Sequence, residues 1–532
     1  MLAFLRSFVE TEYPNEIIKG GMPITRLPPF FLPDLNAYAL LSWLRLTGLR
    51  RSVKFCCWFT CDVIKVLLVQ LRMKFPIFQN RSPQDPEDAL GRMDRAVYDR
   101  NHRLSAGLSV SAEFESVQGA LVLTQGNGKF LRIKHVVESS LPIPESVASG
   151  CREVVDGSIK EVGMISQFAS DLAEIQANVI ERLKCQAGRY VDRVLAVSLS
   201  DPGVWDRDFD GKLSYSSFSD AAKLAEICGV SVIDAYPSRD LAVGGTGKTL
   251  ESLPYWLMLA DRNSKIASES RFLVSIGGDC HSYFLPASDG LDAEVPLIQR
   301  YATVGVSFLE LCFEQQFPDV DWGTRWNQMY VDGLLVDGLL RGWHQTSGQG
   351  SRNPAEVASR MVEITVNYLQ QYPDQISNVV RTGIRFISEQ CLKKLVPNET
   401  QSFTPESTQG GANQIRIHDQ TRSTPSFSRF LVNAPQRFEP AFLNQFSQLL
   451  GNPHVAAAKD VIDGMEDLQP VVSAVLGLLH IDQMPANVPW LSGATCQRIL
   501  GRVNPGRPSN WRQLIRAMAD FQPAPMKLKD AI

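Results

Sequence analysis

The chain has 532 residues, more than a single hydrophobic core usually organises, so two or three domains are expected. Its composition, with 44% hydrophobic and 21% charged residues, is typical of a globular protein. A formal net charge of -4 argues against nucleic-acid binding, because there is no basic surplus to hold phosphates. The 10 cysteines lack the spaced pairs of a zinc site, so we expect no bound metal and reduced thiols.

Residues 1–100 are expected to form a separate extension. Their most apolar stretch, 53–71, is interrupted by Lys54, Asp62 and Lys65. Each such charge costs about 2.5–3.5 kcal/mol at the centre of a bilayer, so no membrane span is expected here. The first residues have a short apolar run and no basic lead, so they do not resemble a secretory signal.

The next part of the chain alternates strands with helices. Residues 104–143 predict two or three strands, with Gly126-Asn127-Gly128 as a hairpin turn, because Asn-Gly tolerates positive φ. A helix is predicted where apolar residues recur every three or four positions, at Ile165, Phe168, Leu172, Ile175, Val179 and Leu183. Further strands are predicted at 194–199, 230–233 and 272–276, and further helices at 220–228, 307–316 and within 355–395. This alternation predicts an α/β protein with a largely parallel sheet.

Three segments carry a family resemblance: SRDLAVGGTGKTL (238–250), FLVSIGGDCHSYF (272–284) and NVPWLSGATCQRILG (487–501). In order and spacing they resemble the anhydro-N-acetylmuramic acid kinase family, whose matching stretches read RDxAxGGxGAPL, VLNIGGxxN and NxPxVTGAxxxxxLG. The similarity extends from about Gly107 to Pro505, apart from residues 397–427. That stretch is rich in Ser, Thr, Gln, Asn and Pro, which predicts a disordered insertion.

The resemblance implies a two-lobed, ribonuclease-H-like fold of the actin-like ATPase type. We therefore expect an extension (1–100), a first kinase-like lobe (101–300) and a second lobe (301–532) that contains the insertion. The family uses Mg·ATP to phosphorylate 1,6-anhydro-N-acetylmuramic acid, opening its anhydro ring to give N-acetylmuramic acid 6-phosphate during cell-wall sugar recycling. An amino sugar and ATP are thus the implied ligands, and a homodimer is left open.

The resemblance also assigns roles to residues of this chain. The implied substrate-binding residues are Arg239, Gly244, Gly245 and Gly247. The implied ATP-binding residues are Gly107, Ser111, Glu115, Gly277 and Gly278, with Glu115 in place of an aspartate that faces Mg²⁺. An alternative interpretation is that the glycines only permit tight turns and that Asp240 pairs with Arg239 or caps a helix.

The chain departs from the family where the chemistry is done. The catalytic aspartate of GFDxGPGN falls on Ala302, and alanine cannot accept a proton, a loss that costs about 10²–10⁴ in rate. Other family segments fall on sequences that lack their functional residues: SGTSLDG on 110–116, HGQT on 200–203, GGGxxN on 433–439, and a helix carboxylate on Gln469. These departures predict a homologue whose family reaction is lost or altered.

Two alternatives remain open. The chain could be a working sugar kinase in which Glu115, Asp240 or Asp279 supplies the carboxylate, so Asp240 and Asp279 are the candidate catalytic residues. It could instead be a non-enzymatic interaction protein on a kinase-like scaffold. Asp279 and His281 replace uncharged family positions and could form a new acid–base or metal site.

Two further motifs are weaker. Residues 242–249, AVGGTGKT, fit a relaxed P-loop pattern, but a true P-loop follows a buried strand directly and opens a helix. Residues 206–217 resemble the first half of a calcium-binding EF-hand loop, yet position twelve is Ser217 instead of glutamate. The family resemblance accounts for the first motif, and an acidic surface loop accounts for the second.

Overall fold

The computed structural model describes residues 102–520, except 112, 188–192, 208–211, 263–268, 288–296, 318–321, 323–324, 349–353, 394–426 and 452–453. The expected N-terminal extension (1–100) lies outside the described residues. Of the expected insertion (397–427), only residue 427 is described. Within the described part, no helix is both long and apolar enough to cross a bilayer.

Thirteen strands are present in the described residues. In chain order they are β1 (His102–Val110), β2 (Ser116–Gln125), β3 (Arg132–Pro142), β4 (Val194–Ser200), β5 (Val204–Arg207), β6 (Leu213–Ser216), β7 (Val232–Asp234), β8 (Ser270–Ile276), β9 (Asp279–Leu285), β10 (Gln299–Val304), β11 (Phe427–Asn433), β12 (Val455–Ala457) and β13 (Arg502–Asn504).

Fourteen α-helices accompany these strands in the same described part. They are α1 (Glu145–Val155), α2 (Val162–Ala187), α3 (Ala221–Cys228), α4 (Tyr236–Leu241), α5 (Ser252–Leu259), α6 (Ser307–Gln316), α7 (Trp326–Asp332), α8 (Asp337–Gly348), α9 (Pro354–Gln371), α10 (Ile376–Lys393), α11 (Glu439–Leu450), α12 (Leu468–Ile481), α13 (Pro489–Ser492) and α14 (Pro508–Asp520).

The strands form two large sheets with the same internal order. The first sheet runs β3-β2-β1-β4-β7-β13, in which β1, β2 and β3 are antiparallel and β4 and β7 continue in parallel. The second runs β10-β9-β8-β11-β12, again with three antiparallel strands followed by two parallel ones. This repeated order confirms the predicted two-lobed, ribonuclease-H-like fold of the actin-like ATPase type.

The lobes divide the chain differently from the sequence-based expectation. A boundary between residues 300 and 301 would cut through β10, which is hydrogen-bonded to β9 in the second sheet. The second sheet instead begins at Ser270, and the first sheet is completed by β13 near the other end of the chain. The prediction failed because an edge strand of three residues gives no local pattern that assigns it to a distant sheet.

Two buried helices pack against the sheets. Helix α5 is apolar on all sides, and every one of its residues is buried accordingly. Helix α12 is almost as apolar and packs on β1, β2 and β4 of the first sheet. Its approach to β1 is possible because Gly107 has no side chain: a Cβ atom there would lie 1.9 Å from the carbonyl oxygen of Pro470.

The predicted local elements are largely present. The three predicted strands of 104–143 are β1, β2 and β3, and Gly126-Asn127-Gly128 lies in the turn between β2 and β3. The predicted amphipathic helix is α2, and the region 355–395 contains two helices, α9 and α10. The expected largely parallel sheet is wrong, because antiparallel pairs make up half or more of the pairings in both large sheets. Local sequence patterns did not predict the β5–β6 hairpin or the β9–β10 pair.

Candidate functional site

The turn between β1 and β2 belongs to the first lobe but approaches α6 of the second. Burial raises the pKa of Glu310 in α6, and the nearby Glu113 carboxylate contributes to this rise. Arg437 opposes the rise by forming an ion pair with Glu310. The turn therefore brings a negative charge close to α6, and a bound nucleotide would add more negative charge.

The β1–β2 turn uses its own polar groups internally. The Ser111 hydroxyl oxygen accepts hydrogen bonds from the backbone N–H groups of Glu115 (2.8 Å) and Ser116 (3.0 Å). The N–H of Ser111 donates to the Ser116 carbonyl, and that of Phe114 donates to the Ser111 carbonyl. Phosphates are held by free backbone donors. The N–H groups of residues 111 and 114–116 are used within the turn, and Glu113 adds a negative charge, so these described residues do not fit the phosphates of Mg·ATP.

Gly107, predicted to bind ATP, is buried in β1 beneath helix α12. A ligand cannot reach its backbone, because Pro470 and Ala474 of α12 occupy the space where a Cβ atom would project. The absence of a side chain at this position serves close packing between helix and strand. The ATP-binding role of Gly107 stays a prediction, and the contact with α12 gives this glycine a packing role.

Gly277 and Gly278 form the corresponding turn of the second lobe, between β8 and β9. Their carbonyl oxygens accept hydrogen bonds from the start of α6: Gly277 from the N–H of Val306 (2.9 Å), and Gly278 from the Ser307 hydroxyl (2.9 Å). The turn is thereby fixed to the first residues of α6. The ATP-binding role of these two glycines stays a prediction.

Asp240 lies at the end of α4 and is fully buried. One carboxylate oxygen accepts from the N–H of Gly247 (2.9 Å), and the other accepts from Asn487 Nδ2 (3.0 Å) and the Ser492 hydroxyl (2.9 Å). A general base must reach the proton that it takes from the substrate. The expectation that Asp240 is catalytic does not agree with this position, because its carboxylate is enclosed by its own structural partners.

The glycines of 244–247 are needed for the shape of the loop around Asp240. Gly244 and Gly247 have φ values of 84° and 67°, which other residues rarely adopt. At Gly245 a Cβ atom would lie 2.1 Å from an Asp240 carboxylate oxygen. The adjoining Arg239 is exposed. Burial lowers the pKa of His480, and the positive charge of the nearby Arg239 lowers it further.

The same loop is not a P-loop. It follows helix α4 instead of a strand, and the N–H groups of residues 243–245 and 247 all donate to oxygen atoms of residues 240 and 241. The N–H of Thr246 donates to the Ser492 carbonyl. No free cradle of backbone donors remains at these five positions. The central residues of the EF-hand-like segment, 208–211, lie outside the described residues.

One face of the β9–β10 hairpin carries the residues around Ala302. Ala302 is exposed and lies opposite His281. Asp279 and Arg300 are two positions away along the two strands, so they share this face with Ala302. Partial burial raises the pKa of Asp279, whereas the positive charges of Lys248 and Arg300 act in the opposite direction.

A chain of hydrogen bonds continues from this face into the protein. Arg300 donates from Nη2 to His281 Nε2 (3.1 Å) and from Nε to the Tyr283 hydroxyl oxygen (3.2 Å). The Tyr283 hydroxyl in turn donates to Glu251 (2.6 Å). Burial and the neighbouring Arg300 lower the pKa of His281 to about 3, so its ring is neutral and Nε2 accepts.

The sequence analysis missed Arg300, Tyr283 and Glu251. Alternation along β9 could have indicated that residues 279, 281 and 283 share one face. Lys248 also reaches this region, with its ammonium group 5.6 Å from the centre of the Trp205 ring. Together these residues place cations, a carboxylate and an aromatic ring near one another, an arrangement able to bind a polar or anionic ligand.

The segment that replaces the family's GGGxxN stretch is filled by side chains. Arg437 forms the ion pair with Glu310 and lies over the ring of Phe438, which is buried. Asn433 Nδ2 donates to the Ser275 hydroxyl (3.1 Å). Gln469, at the position of the lost helix carboxylate, donates to the Tyr255 hydroxyl oxygen (3.1 Å). Without the glycines, a nucleotide has less access to this backbone.

Comparison with known proteins identifies one family. A model of the anhydro-N-acetylmuramic acid kinase family matches residues 106–280. The anhydro-N-acetylmuramic acid kinase of Francisella tularensis subsp. novicida (strain U112) is 19% identical over 413 residues, which cover 76% of this chain and 99% of that protein. The aligned region thus includes almost the whole of the relative.

Solved structures give lower similarity. The activator of 2-hydroxyisocaproyl-CoA dehydratase from Clostridium difficile is 10% identical, with 70% of this chain and 94% of that chain covered and a TM-score of 0.32. A ROK family glucokinase from Streptomyces griseus is 13% identical, with 70% and 98% covered and a TM-score of 0.25. The strand order of the two sheets, instead of these low scores, identifies the fold. Together, the family match over residues 106–280 and the near-complete coverage of the Francisella kinase show that the chain is similar, at low identity, to the anhydro-N-acetylmuramic acid kinases.

Proposed function

We propose that this protein is a diverged homologue of the anhydro-N-acetylmuramic acid kinases in which the family reaction is lost or altered. The observation that carries this proposal is Ala302. The family resemblance places the catalytic aspartate at this position, where Ala302 is exposed on the β9–β10 hairpin and its methyl side chain cannot accept a proton. Losing a positioned general base lowers the rate by about 10²–10⁴.

The phosphate side supports the same proposal. The Ser111 hydroxyl oxygen accepts from the N–H groups of Glu115 and Ser116 in the β1–β2 turn, and Glu113 brings its charge toward Glu310. A phosphate would have to displace the serine and approach two carboxylates. The proposal therefore rests on changes in two separate parts of the site, the proton acceptor and the phosphate-binding turn, instead of on one residue.

The test is incubation of the purified protein with Mg·ATP and 1,6-anhydro-N-acetylmuramic acid, following the sugar by mass spectrometry. The Francisella relative serves as the positive control. We expect no N-acetylmuramic acid 6-phosphate at an enzyme concentration far above that of the control. A ring-opened, phosphorylated product would overturn the proposal that the family reaction is lost.

A second candidate function is a working amino-sugar kinase with Asp279 as the substitute base. It is favoured by one observation: Asp279 lies on the same hairpin face as Ala302, between the charges of Lys248 and Arg300. If product forms, Asp279→Asn should abolish turnover, while Glu115→Gln should not. Unchanged turnover in Asp279→Asn would remove this candidate.

A third possibility is a non-enzymatic interaction protein. Titration with Mg·ATP separates it from the kinases, because such a protein need not bind nucleotide. A heat of binding that saturates would favour a retained nucleotide site, whereas its absence would direct attention to protein partners of residues 1–100 and 397–427. A cytoplasmic place in peptidoglycan recycling follows only if the sugar reaction is found.

A further inference from the structure

Two buried thiols meet behind the β9–β10 hairpin. Cys280 of β9 and Cys391 of α10 are 111 residues apart in the chain, yet their Sγ atoms are 3.2 Å apart. Neither side chain is exposed to solvent. Both residues belong to the core of the second lobe, so their contact is part of the packing between helix and hairpin.

The pair lies directly behind the candidate site. Side chains alternate along a strand, so Cys280 points to the face opposite that of Asp279 and His281. Across the hairpin Cys280 is paired with Thr303, whose hydroxyl is 3.9 Å from Cys391 Sγ. Cys391 thus contacts both strands of the hairpin at the level of the site residues.

The two thiols differ in acidity. The hydrogen bond from the Cys280 thiol lowers the pKa of Cys391, whereas burial raises the pKa of Cys280. The thiolate is the reactive form of cysteine. Cys391 is therefore the member of the pair that attacks an oxidant, and Cys280 is the partner that closes the bond.

We propose that Cys280 and Cys391 form a redox-sensitive pair that a peroxide converts reversibly into a disulfide. The Cys391 thiolate attacks one peroxide oxygen, takes it up as a sulfenic acid and releases water. The Cys280 sulfur then attacks Cys391 Sγ and expels the second water. In total two thiols lose two electrons and two protons, and one peroxide is reduced to two water molecules.

The geometry requires little movement. A disulfide bond measures about 2.0 Å, so the sulfur atoms must approach by about 1 Å. The bond would fix α10 to the hairpin that carries Asp279 and Ala302. Because the reduced contact is only non-covalent, the hairpin face of the candidate site would become more rigid on oxidation. This inference does not depend on the proposed function.

The test compares the full-length protein before and after exposure to hydrogen peroxide. Remaining thiols are alkylated in denaturant, and the protein is digested without reductant and mapped by mass spectrometry. We expect a linked peptide pair containing Cys280 and Cys391, which dithiothreitol separates. Cys312 is the internal control, since it is buried in the same core but its thiol contacts the Val362 carbonyl oxygen (3.8 Å) instead of another thiol.

Oxidation should also raise the urea midpoint of unfolding, because the bond closes a long loop in the unfolded chain. This shift should persist in Cys185→Ser, which removes an exposed thiol, and disappear in Cys391→Ser. The proposal is overturned if Cys280 and Cys391 are both recovered as free thiols after Cys185 has been fully oxidised. Peptide mapping of the unaltered chain decides this even if Cys391→Ser does not fold.

Discussion

The side-chain amide of Asn487 donates a hydrogen bond of 3.0 Å to the buried carboxylate of Asp240, although 247 residues separate them. Ser492 donates to the same oxygen atom. Two of the three segments that carry the family resemblance, 238–250 and 487–501, therefore form one hydrogen-bonded unit. These two segments therefore have a structural role together, because each holds the other in place through the Asp240 carboxylate.

Asp240→Asn should destabilise the fold instead of changing only the chemistry. Each carboxylate oxygen accepts from at least one donor, so an amide NH₂ group would face an N–H or O–H group in either orientation. We expect a loss of about 2–4 kcal/mol in the free energy of unfolding, measured by urea denaturation. Asp279→Asn, at an exposed carboxylate, is the control. Equal midpoints for Asp240→Asn and the unaltered protein would contradict this account.

Gly107→Ala tests the packing of α12 on the first sheet. The added Cβ atom would lie 1.9 Å from the Pro470 carbonyl oxygen and 2.5 Å from the Ala474 nitrogen. Backbone atoms of a packed helix cannot move aside easily, so we expect a loss of about 3 kcal/mol in stability, measured by thermal unfolding. Gly342→Ala, inside α8 where space is available, should instead stabilise by about 0.5–1 kcal/mol. An unchanged melting temperature for Gly107→Ala would exclude this contact.

Glu138 makes stability depend on pH. Burial raises its pKa from 4.5 to about 7, although the N–H groups of Glu466 and Asp467 donate to its carboxylate. The folded protein then holds a proton that the unfolded chain has released, so the free energy of unfolding falls as pH rises from 4.5 to about 7.

Glu138→Gln should remove this contribution. Relative to the variant, the free energy of unfolding of the unaltered protein should fall by at most about 1.4 kcal/mol per pH unit between pH 4.5 and about 7. Urea denaturation at several pH values measures the difference, and Glu363→Gln, at an exposed glutamate, is the control. Parallel stability curves for Glu138→Gln and the unaltered protein would show that the carboxyl titrates normally.

Asp482→Ala tests the link between the end of α12 and the β2–β3 turn. The buried Asp482 carboxylate accepts from Arg103 and from the N–H of Gly128 (2.6 Å). Loss of this carboxylate would leave the Gly128 N–H unpaired and the Arg103 guanidinium less well neutralised. We expect the free energy of unfolding, measured by urea denaturation, to fall by about 2–4 kcal/mol. Arg360→Ala, which breaks an exposed pair with Glu356, should cost at most about 0.5 kcal/mol. Similar losses of unfolding free energy in Asp482→Ala and Arg360→Ala would contradict the expected difference between a buried and an exposed ion pair.

Local patterns predicted much of the fold. The apolar stripe from Ile165 to Leu183 and the apolar runs at 194–199 and 272–276 predict elements that the structure contains. The attachment of α12 and β13 to the first sheet could not be predicted in this way. It depends on contacts between residues hundreds of positions apart, such as Gly107 with Pro470, which no local periodicity encodes.

The candidate site was predicted only in part. Family resemblance located Asp279 and Ala302, and the structure places them on one hairpin face. Arg300 was not foreseen, because its place beside His281 depends on the register between two strands. Asp240 became a catalytic candidate because it lies in a segment that resembles the family, whereas its full burial is visible only in three dimensions.

The position of α12 has a consequence for the order in which the protein can be made. During synthesis the strands β1 to β4 emerge early, but the helix that covers them is translated more than 260 residues later, since β4 ends at Ser200 and α12 begins at Leu468. Until then one apolar face of the nascent first lobe stays uncovered. The lobe that starts first is thus completed last, and ribosome-bound intermediates present a surface that molecular chaperones recognise.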